Sequence, residues 1–392
     1  MEPLEEKKTH PKRARILLQI TGLFLLIALT CFLYWWIWAR FNEYTDDAYV
    51  SGNLIYITPQ VSGIVTQIYA DDTQRVRKNQ LLFELDKTDF VIALEKSKAN
   101  LAETIRDVAQ LFIQAKQKQA LILAAKAEFT KNGEDFERRA SLINSGGVSA
   151  EDLSHAEAAL ITSYFLLISK EQDFFSSCAQ IEGTTVENHP KVLKAMEELK
   201  NAWVQLKRCT LRAPTDGLLA QRSAQVGQRV NPAEPLLAII PLDQMWVEAN
   251  FKEDQIGKMQ IGQMANITTD TYGTSVPFQG KIVGIGGGTG SVFSVLPPQN
   301  ATGNWIKIVQ RVPVRIQLKE EEIKINPLRL GLSLEVTVDI HSIKASAIPS
   351  IAPEASLYET NIFANEENGV RELIESILLA NLPGVKEDKE AP

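Results

Sequence analysis

Several stretches of this 392-residue chain carry residue types from which chemistry is commonly built, and each can be weighed against what that chemistry demands. The run "GIGGGTGS", from Gly284 to Ser291, has the glycine density of a phosphate cradle. A P-loop also needs Gly-Lys followed by Ser or Thr and a helix whose N-terminus faces the anion, whereas Pro297 and Pro298 follow here. The run therefore reads as a flexible loop. Asp46 and Asp47 make an acidic pair of the sort used in acid–base catalysis, but neighbours in a strand point to opposite faces, and no nucleophile accompanies them. His10, His155, His189 and His341 neither cluster nor fall into a His-Glu-x-x-His pattern, so each reads as a surface residue. Cys31, Cys178 and Cys209 are odd in number and far apart, which suits neither a disulfide framework nor a Cys-x-x-Cys metal site. No catalytic, cofactor-binding or metal-binding residue is assigned, and the chain reads as a non-enzyme.

The elements around these residues are more informative. A formal net charge of -7 argues against nucleic-acid binding, which needs a basic face, while 45% apolar residues suffice for two or three packed units. Residues 16–39, "ILLQITGLFLLIALTCFLYWWIWA", carry no charge and would be about 36 Å long as a helix, against a hydrocarbon core of about 30 Å. The stretch is too long for a signal-peptide core and reads as one uncleaved transmembrane helix. Lys7, Lys8, Lys12, Arg13 and Arg15 precede it, whereas only Arg40 follows before Glu43, Asp46 and Asp47. The positive-inside rule puts residues 1–15 in the cytoplasm and the bulk of the chain outside.

Two segments repeat. "ITPQVSGIVTQI" at 57–68 returns as "LRAPTDGLLAQR" at 211–222, and one constant offset pairs Gly63 with Gly217, Val65 with Leu219, Val76 with Val230, Leu82 with Leu236 and Phe83 with Leu237. Short runs of Val, Ile and Leu punctuated by Gly, Pro and Asp make residues 58–89 and 210–242 two halves of one small β sandwich, with Gly63 and Gly217 as turn glycines. Between them, 90–209 reads as an antiparallel helical hairpin. Leu94, Leu101, Val108, Ala115, Ile122, Phe129, Phe136 and Ile143 recur at heptad spacing on the outgoing arm. Leu153, Leu160, Leu167, Phe174 and Ile181 continue it on the way back, and Val192, Met196, Leu199, Trp203 and Leu206 resume it after a break at 183–190. The chain reverses at 139–150, where Gly146 and Gly147 can take positive φ and Ser149 followed by Asp152 resembles a cap. Each arm should be on the order of 80 Å long. Residues 243–340 alternate as strands ("MWVEANF", "ANITTD", "KIVGIG", "VPVRIQL", "LEVTVDI") and predict a small antiparallel β barrel that borrows a strand from 46–57. In the tail, 341–392, "VRELIESILLANL" predicts an amphipathic helix and "KEDKEAP" a frayed end. The fold class is α+β and multidomain.

The phrases "TDDAYVSGNLIYITPQVSGIVTQIYADDTQRV", "MWVEANFKEDQIGKMQIGQ" and "GTGSVFSVLPPQNATGNWIKIVQRVPVRI", placed around a hairpin, strongly resemble the periplasmic adaptor, or membrane fusion, proteins of the HlyD/EmrA family, and within it the EmrA-type branch. The resemblance runs from the anchor to about residue 340 and makes the split unit lipoyl-like. It implies a tripartite multidrug efflux pump: a proton-driven major-facilitator exporter of EmrB type in the inner membrane, this adaptor as a homo-oligomer in the periplasm, and a TolC-like outer-membrane channel. Hairpin tips in such relatives carry an Arg, a Leu four residues on and a Ser or Thr eleven residues on. "RRASLINSGGVS" supplies Arg138, Leu142 and Ser149 at those spacings, which makes them the expected channel-docking residues. Two rivals stand beside this reading. One is an adaptor for ATP-driven type I secretion. The other is a biotinyl or lipoyl carrier modified on Lys87 in "FELDKTDF", against which stands the long insertion where a carrier has a tight turn. Lipoyl-type units usually hold Gly in the turn before the final strand. Here Asn79 and Ala233 stand in its place, and Ala233, between Pro232 and Glu234, suggests a different turn.

Overall fold

In the computed structural model, residues 11–37, 39–293, 309–341, 346, 348, 351–352 and 354–382 are described. The elements in chain order are α1 (Pro11–Ile37), β1 (Asn42–Gly52), β2 (Ile55–Ile57), β3 (Gly63–Ile68), β4 (Arg75–Val76), β5 (Leu81–Leu85), α2 (Thr88–Leu142), α3 (Ala150–Ile181) and α4 (Pro190–Arg208). There follow β6 (Thr210–Arg212), β7 (Gly217–Ala220), β8 (Arg229–Val230), β9 (Leu237–Ile240), β10 (Met245–Lys252), α5 (Glu253–Ile256), β11 (Met264–Thr269), β12 (Gly273–Ile285), β13 (Arg311–Leu318), α6 (Glu320–Ile325), β14 (Ser333–Asp339) and α7 (Val370–Asn381).

The segment Ile16–Ile37 of α1 has a mean hydropathy of 2.5 and none of its residues is buried in the rest of the chain. Such a helix needs a lipid partner for its side chains. Its two threonine hydroxyls are satisfied internally: Thr21 donates to the Leu17 carbonyl at 2.7 Å and Thr30 to the Leu26 carbonyl at 3.0 Å. The helix is described as far as Ile37; Ala39, inside the expected span, already belongs to a 3-10 turn, Ala39–Phe41, and the Arg40 guanidinium lies 5.1 Å from the Trp36 ring centroid.

Six strands close a barrel in the order β1-β10-β13-β12-β11-β14. Alternation places Met245, Val247, Ala249 and Phe251 of β10 inside, against Ile267, Phe278, Ile316 and Val336. The sequence expectation of one barrel strand over 46–57 is corrected. β1 starts at Asn42 and stops at Gly52, where a Cβ would come within 2.8 Å of the Leu330 side chain; Ile55–Ile57 instead pairs with β9 outside the barrel. Asp46 and Asp47 sit at a β-bulge between Thr45 and Ala48. There Asp47 pairs with Arg311 at 2.9 Å, a structural task. The glycine run beginning at Gly284 also serves the barrel: the amides of Gly286 and Gly290 donate to the carbonyls of Pro313 and Arg311, leaving them unavailable to a phosphate.

The two repeated segments form one sandwich of two four-stranded sheets, β2-β9-β7-β4 and β6-β5-β3-β8, and each sheet takes two strands from each half. Val65, Val76, Leu82 and Phe83 share a single core with their offset counterparts Leu219, Val230, Leu236 and Leu237. The pairing is reciprocal: Gly63 lies opposite Val230, and Gly217 opposite Val76. Gly63 and Gly217 are therefore corrected from turn glycines to strand residues. Neither has positive φ; at Gly217 glycine is required because a Cβ would meet the Ile240 carbonyl oxygen at 2.6 Å, and at Gly63 it is favoured because a Cβ would press on the Leu85 Cβ at 3.2 Å. Positive φ angles recur at equivalent places, Thr73 and Asn79 in one half and Gly227 and Ala233 in the other, and Gln221 (φ 56°) adds one in the second half alone.

Between β5 and β6 stands the hairpin. Its outgoing helix α2 has 55 residues, about 80 Å at 1.5 Å per residue. The returning arm is two helices, α3 and α4, separated at 182–189 where Gly183 takes φ 69° and Pro190 opens α4. His189 is the N-cap of α4, accepting from the Lys191 amide through Nδ1 at 3.2 Å, with Nε2 3.1 Å from the Gln180 carbonyl. It is buried, which corrects its reading as a surface residue. The heptad positions differ along the rod. Leu94, Leu101, Val108 and Ala115 are buried, whereas Ile122, Phe129, Phe136 and Ile143 are half-buried. The small residues Ala156, Ser163 and Ser177 of α3 occupy buried seam positions, so they cover less of the facing helix than Leu would.

At the base a third partner explains the deeper burial. Helix α7 packs Val370 and Ile374 into a cluster with Leu101, Ile105 and Val108 of α2 and Val192 and Leu199 of α4. Each large side chain so buried contributes about 1.5–3 kcal/mol. Arg106 donates to the Asn381 side chain at 2.9 Å, Trp203 Nε1 to the Glu366 carbonyl at 3.1 Å, and Arg208 pairs with the Glu366 carboxylate at 3.0 Å. Thr360 reaches the Pro214 carbonyl at 3.1 Å, so the tail from 360 to 381 straps hairpin base to sandwich.

Candidate docking tip

The reversal between α2 and α3 is built from backbone and polar contacts. A 3-10 turn, Ile143–Ser145, ends in Gly146 at φ 72° and ψ 13°, the left-handed region that glycine enters without steric cost. The Gly146 amide donates to the Ile143 carbonyl at 3.2 Å and the Gly147 amide to the Leu142 carbonyl at 3.3 Å. Only Gly146 of the two has positive φ, which corrects the expectation for Gly147. Ser149 is the N-cap of α3, its hydroxyl accepting from the Asp152 amide at 3.0 Å and donating to the Asp152 carboxylate at 2.6 Å. That bond to Ser149, more than any other influence, holds the Asp152 carboxyl below its ordinary pKa. With its proton given to Asp152, Ser149 can offer an incoming group only an acceptor lone pair.

Arg138 and Leu142, four residues apart on α2, share one face of the last turns of the helix. The Arg138 side chain is 68% exposed even though its guanidinium pairs with Asp135 at 2.9 Å, and Leu142 is 43% exposed. An exposed guanidinium beside an exposed leucine, above a capped turn, leaves donors and an apolar knob open to solvent. Arg139 falls outside the motif spacing yet holds the turn. Its Nε binds the other Asp135 oxygen at 2.9 Å, and its Nη1 donates across the tip to the Asp152 carbonyl at 3.3 Å, fastening the two arms. The adjacent arginines thus divide the work: one points outward and the other ties the turn.

Lys87 lies elsewhere, between β5 and the first residue of α2, with its ammonium bonded to Glu84. A carrier presents its lysine at a tight turn; here a 55-residue helix begins at the next residue. Of the cysteines, Cys209 is buried at the hairpin's foot, and burial pushes its thiol up to about 11, away from reactivity at neutral pH.

Residues 88–209 match the family described as "EMRA, alpha-helical hairpin domain". The chain is 42% identical to "Probable multidrug resistance protein EmrK" of Escherichia coli (strain K12) over 353 residues, covering 90% of this chain and 91% of the relative. The chain belongs to the EmrA-type membrane fusion adaptors. "Multidrug export protein EmrA" of the same organism is 46% identical over 307 residues, 78% of this chain and 79% of that one. Its namesake in Haemophilus influenzae (strain ATCC 51907 / DSM 11121 / KW20 / Rd) is 38% identical over 359 residues, 92% of each. Apolar helix, split sandwich, hairpin and barrel in this EmrA-type chain account for the fold class expected from the sequence.

Proposed function

We propose that this EmrA-type chain is the periplasmic adaptor of a multidrug efflux pump, anchored in the inner membrane by Ile16–Ile37 with its N-terminus in the cytoplasm. Its partners are a proton-driven major-facilitator exporter of EmrB type, a TolC-like outer-membrane channel, and further copies of itself. The observation that carries the reading is the 55-residue α2 with its returning arm, a rod about 80 Å long rising from a sandwich tethered to a membrane span. The names of its relatives, "Multidrug export protein EmrA" among them, support the export role. The adaptor performs no chemistry; energy comes from the exporter, and the rod supplies reach. At the tip, Arg138 donates to the channel's carbonyls, Leu142 fills a groove in it, and Ser149 accepts one bond while capping α3.

The test is Arg138→Asp in the full chain, expressed in a strain lacking the chromosomal copy. Resistance to a panel of hydrophobic toxicants should be lost, while the amount of membrane-anchored protein and its melting curve stay as in the parent. Undiminished resistance would overturn the docking assignment. Copurification decides the exporter class: a major-facilitator protein supports the reading, and an ATP-binding cassette in its place transfers the chain to type I secretion.

A further inference from the structure

Each sheet of the sandwich has two edge strands. Strands β2 and β6 end their respective sheets, so no neighbouring strand covers their outer edges. The C-terminal strap crosses in front of these two edges, held at Thr360 and Glu366, and leaves a cleft of about 700 Å³ between itself and them. That is the size range of small-ligand sites. Its apolar wall includes Ile55 and Tyr56 of β2 and Ile362 and Phe363 of the strap. Tyr56 is 53% exposed and Phe363 51% exposed, although both line a concave surface. Large side chains left half-wet in a cleft are surface that a ligand's apolar body would cover.

The charge of the lining is one-sided. Lys207, Arg208 and Arg212 face the cleft together with one carboxylate, Glu366, and that carboxylate is committed to Arg208 at 3.0 Å. Lys207 and Arg212 form no ion pair among the described residues. Lys207 lies over the Trp203 ring at 5.1 Å, and Arg212 spends one donor on the Asn79 carbonyl at 2.9 Å, which leaves four N–H groups of its guanidinium for other acceptors. Glu84, whose charge Arg212 helps to hold, is bonded to Lys87 and Tyr69. Two cations with no ion-pair partner among the described residues, set beside uncovered aromatic surface, select an anionic head on an apolar tail.

We propose that the cleft between the C-terminal strap and the β2 and β6 edges of the sandwich binds an amphipathic organic anion, a medium-chain carboxylate being the simplest member of the class. The head group pairs with Lys207 and Arg212, and the chain lies against Tyr56 and Phe363. The site is independent of whether the tip docks to an outer-membrane channel.

The experiment uses the full chain in lipid nanodiscs and a diazirine-bearing dodecanoate, with labelled positions mapped by peptide mass spectrometry. The expected result is label on 55–60 or 360–366, displaced by dodecanoate and not by dodecyltrimethylammonium. Replacing both cations (Lys207→Gln with Arg212→Gln) should lower labelling there about tenfold, in line with the loss of charge-assisted bonds. Since Arg212 also bonds Asn79, Lys207→Glu alone is the second variant; it lies on an exposed helical position and must lower labelling without moving the melting curve. Label confined to Ile16–Ile37, equal displacement by the cationic amphiphile, or undiminished labelling of Lys207→Glu would overturn the proposal.

Discussion

Asn79 and Ala233 hold the same left-handed backbone, φ 69° and φ 68°, at equivalent turns in the two halves of the sandwich. The turn is thus conserved between the halves while the residue that fills it differs, and the expectation of a different turn at Ala233 is corrected. Asn enters this region readily; Ala does so at a cost of roughly 1–2 kcal/mol. Ala233→Gly should remove that strain, offset in part by the greater freedom of Gly in the unfolded chain, for a net gain of about 0.5–1 kcal/mol in the sandwich's unfolding free energy and a higher unfolding midpoint. Asn79→Gly should gain less. A midpoint for Ala233→Gly at or below that of the parent would refute the strain.

The two strand glycines should respond unequally to a methyl group. At Gly217 the added Cβ would be 2.6 Å from a carbonyl oxygen, which cannot move without the strand, whereas at Gly63 it would be 3.2 Å from the Leu85 Cβ. Gly217→Ala should cost about 2 kcal/mol or more and Gly63→Ala about half as much. Protease susceptibility of the sandwich in the two variants checks the order.

Helix α7 should be removable by one buried charge. Ile374 is 6% exposed in the cluster at the hairpin base. Ile374→Asp buries an unpaired carboxylate and should release the helix, at about 3 kcal/mol or more. Amide exchange should then accelerate around Leu101 to Val108 and Trp203 emission should shift to the red. Unchanged exchange would show that α7 adds nothing to the base.

The tip should loosen in acid. The Asp152 carboxyl is held below its ordinary value, chiefly by Ser149. Its folded pKa is the lower of the two, so its contribution is intact above about pH 4 and disappears as pH falls through the folded value. Amide exchange at 149–153, corrected for intrinsic rates, should rise in that window in the parent. In Asp152→Asn it should be fast and flat with pH.

How much of this was legible beforehand follows from what each signal encodes. The offset pairs Val65/Leu219 and Leu82/Leu236 announced the sandwich, because core positions in both halves must be apolar and the repeat keeps them in step. Barrel strands showed in the alternation of Met245, Val247 and Ala249, and the membrane span in an uncharged run. The docking place of α7 did not show: an amphipathic pattern says that one face is covered and leaves the partner open. The left-handed Ala233 was illegible because its residue type argues against the conformation it adopts. Arg139 was passed over because spacing picks out positions and cannot tell an outward guanidinium from one that spans the turn. The lack of room for a side chain at Gly52 comes from Leu330, far away in the sequence, which no local pattern contains.

The helices are spliced in between β5 and β6, and those two strands are hydrogen-bonded neighbours, with Glu84 opposite Thr210. The foundation therefore closes on itself whatever length of chain is inserted there. Adding or deleting matched heptads on both arms would alter the height of the column without touching a single contact beneath it, so the gap such a protein can bridge is free to change in evolution, or by design, while its footing stays the same.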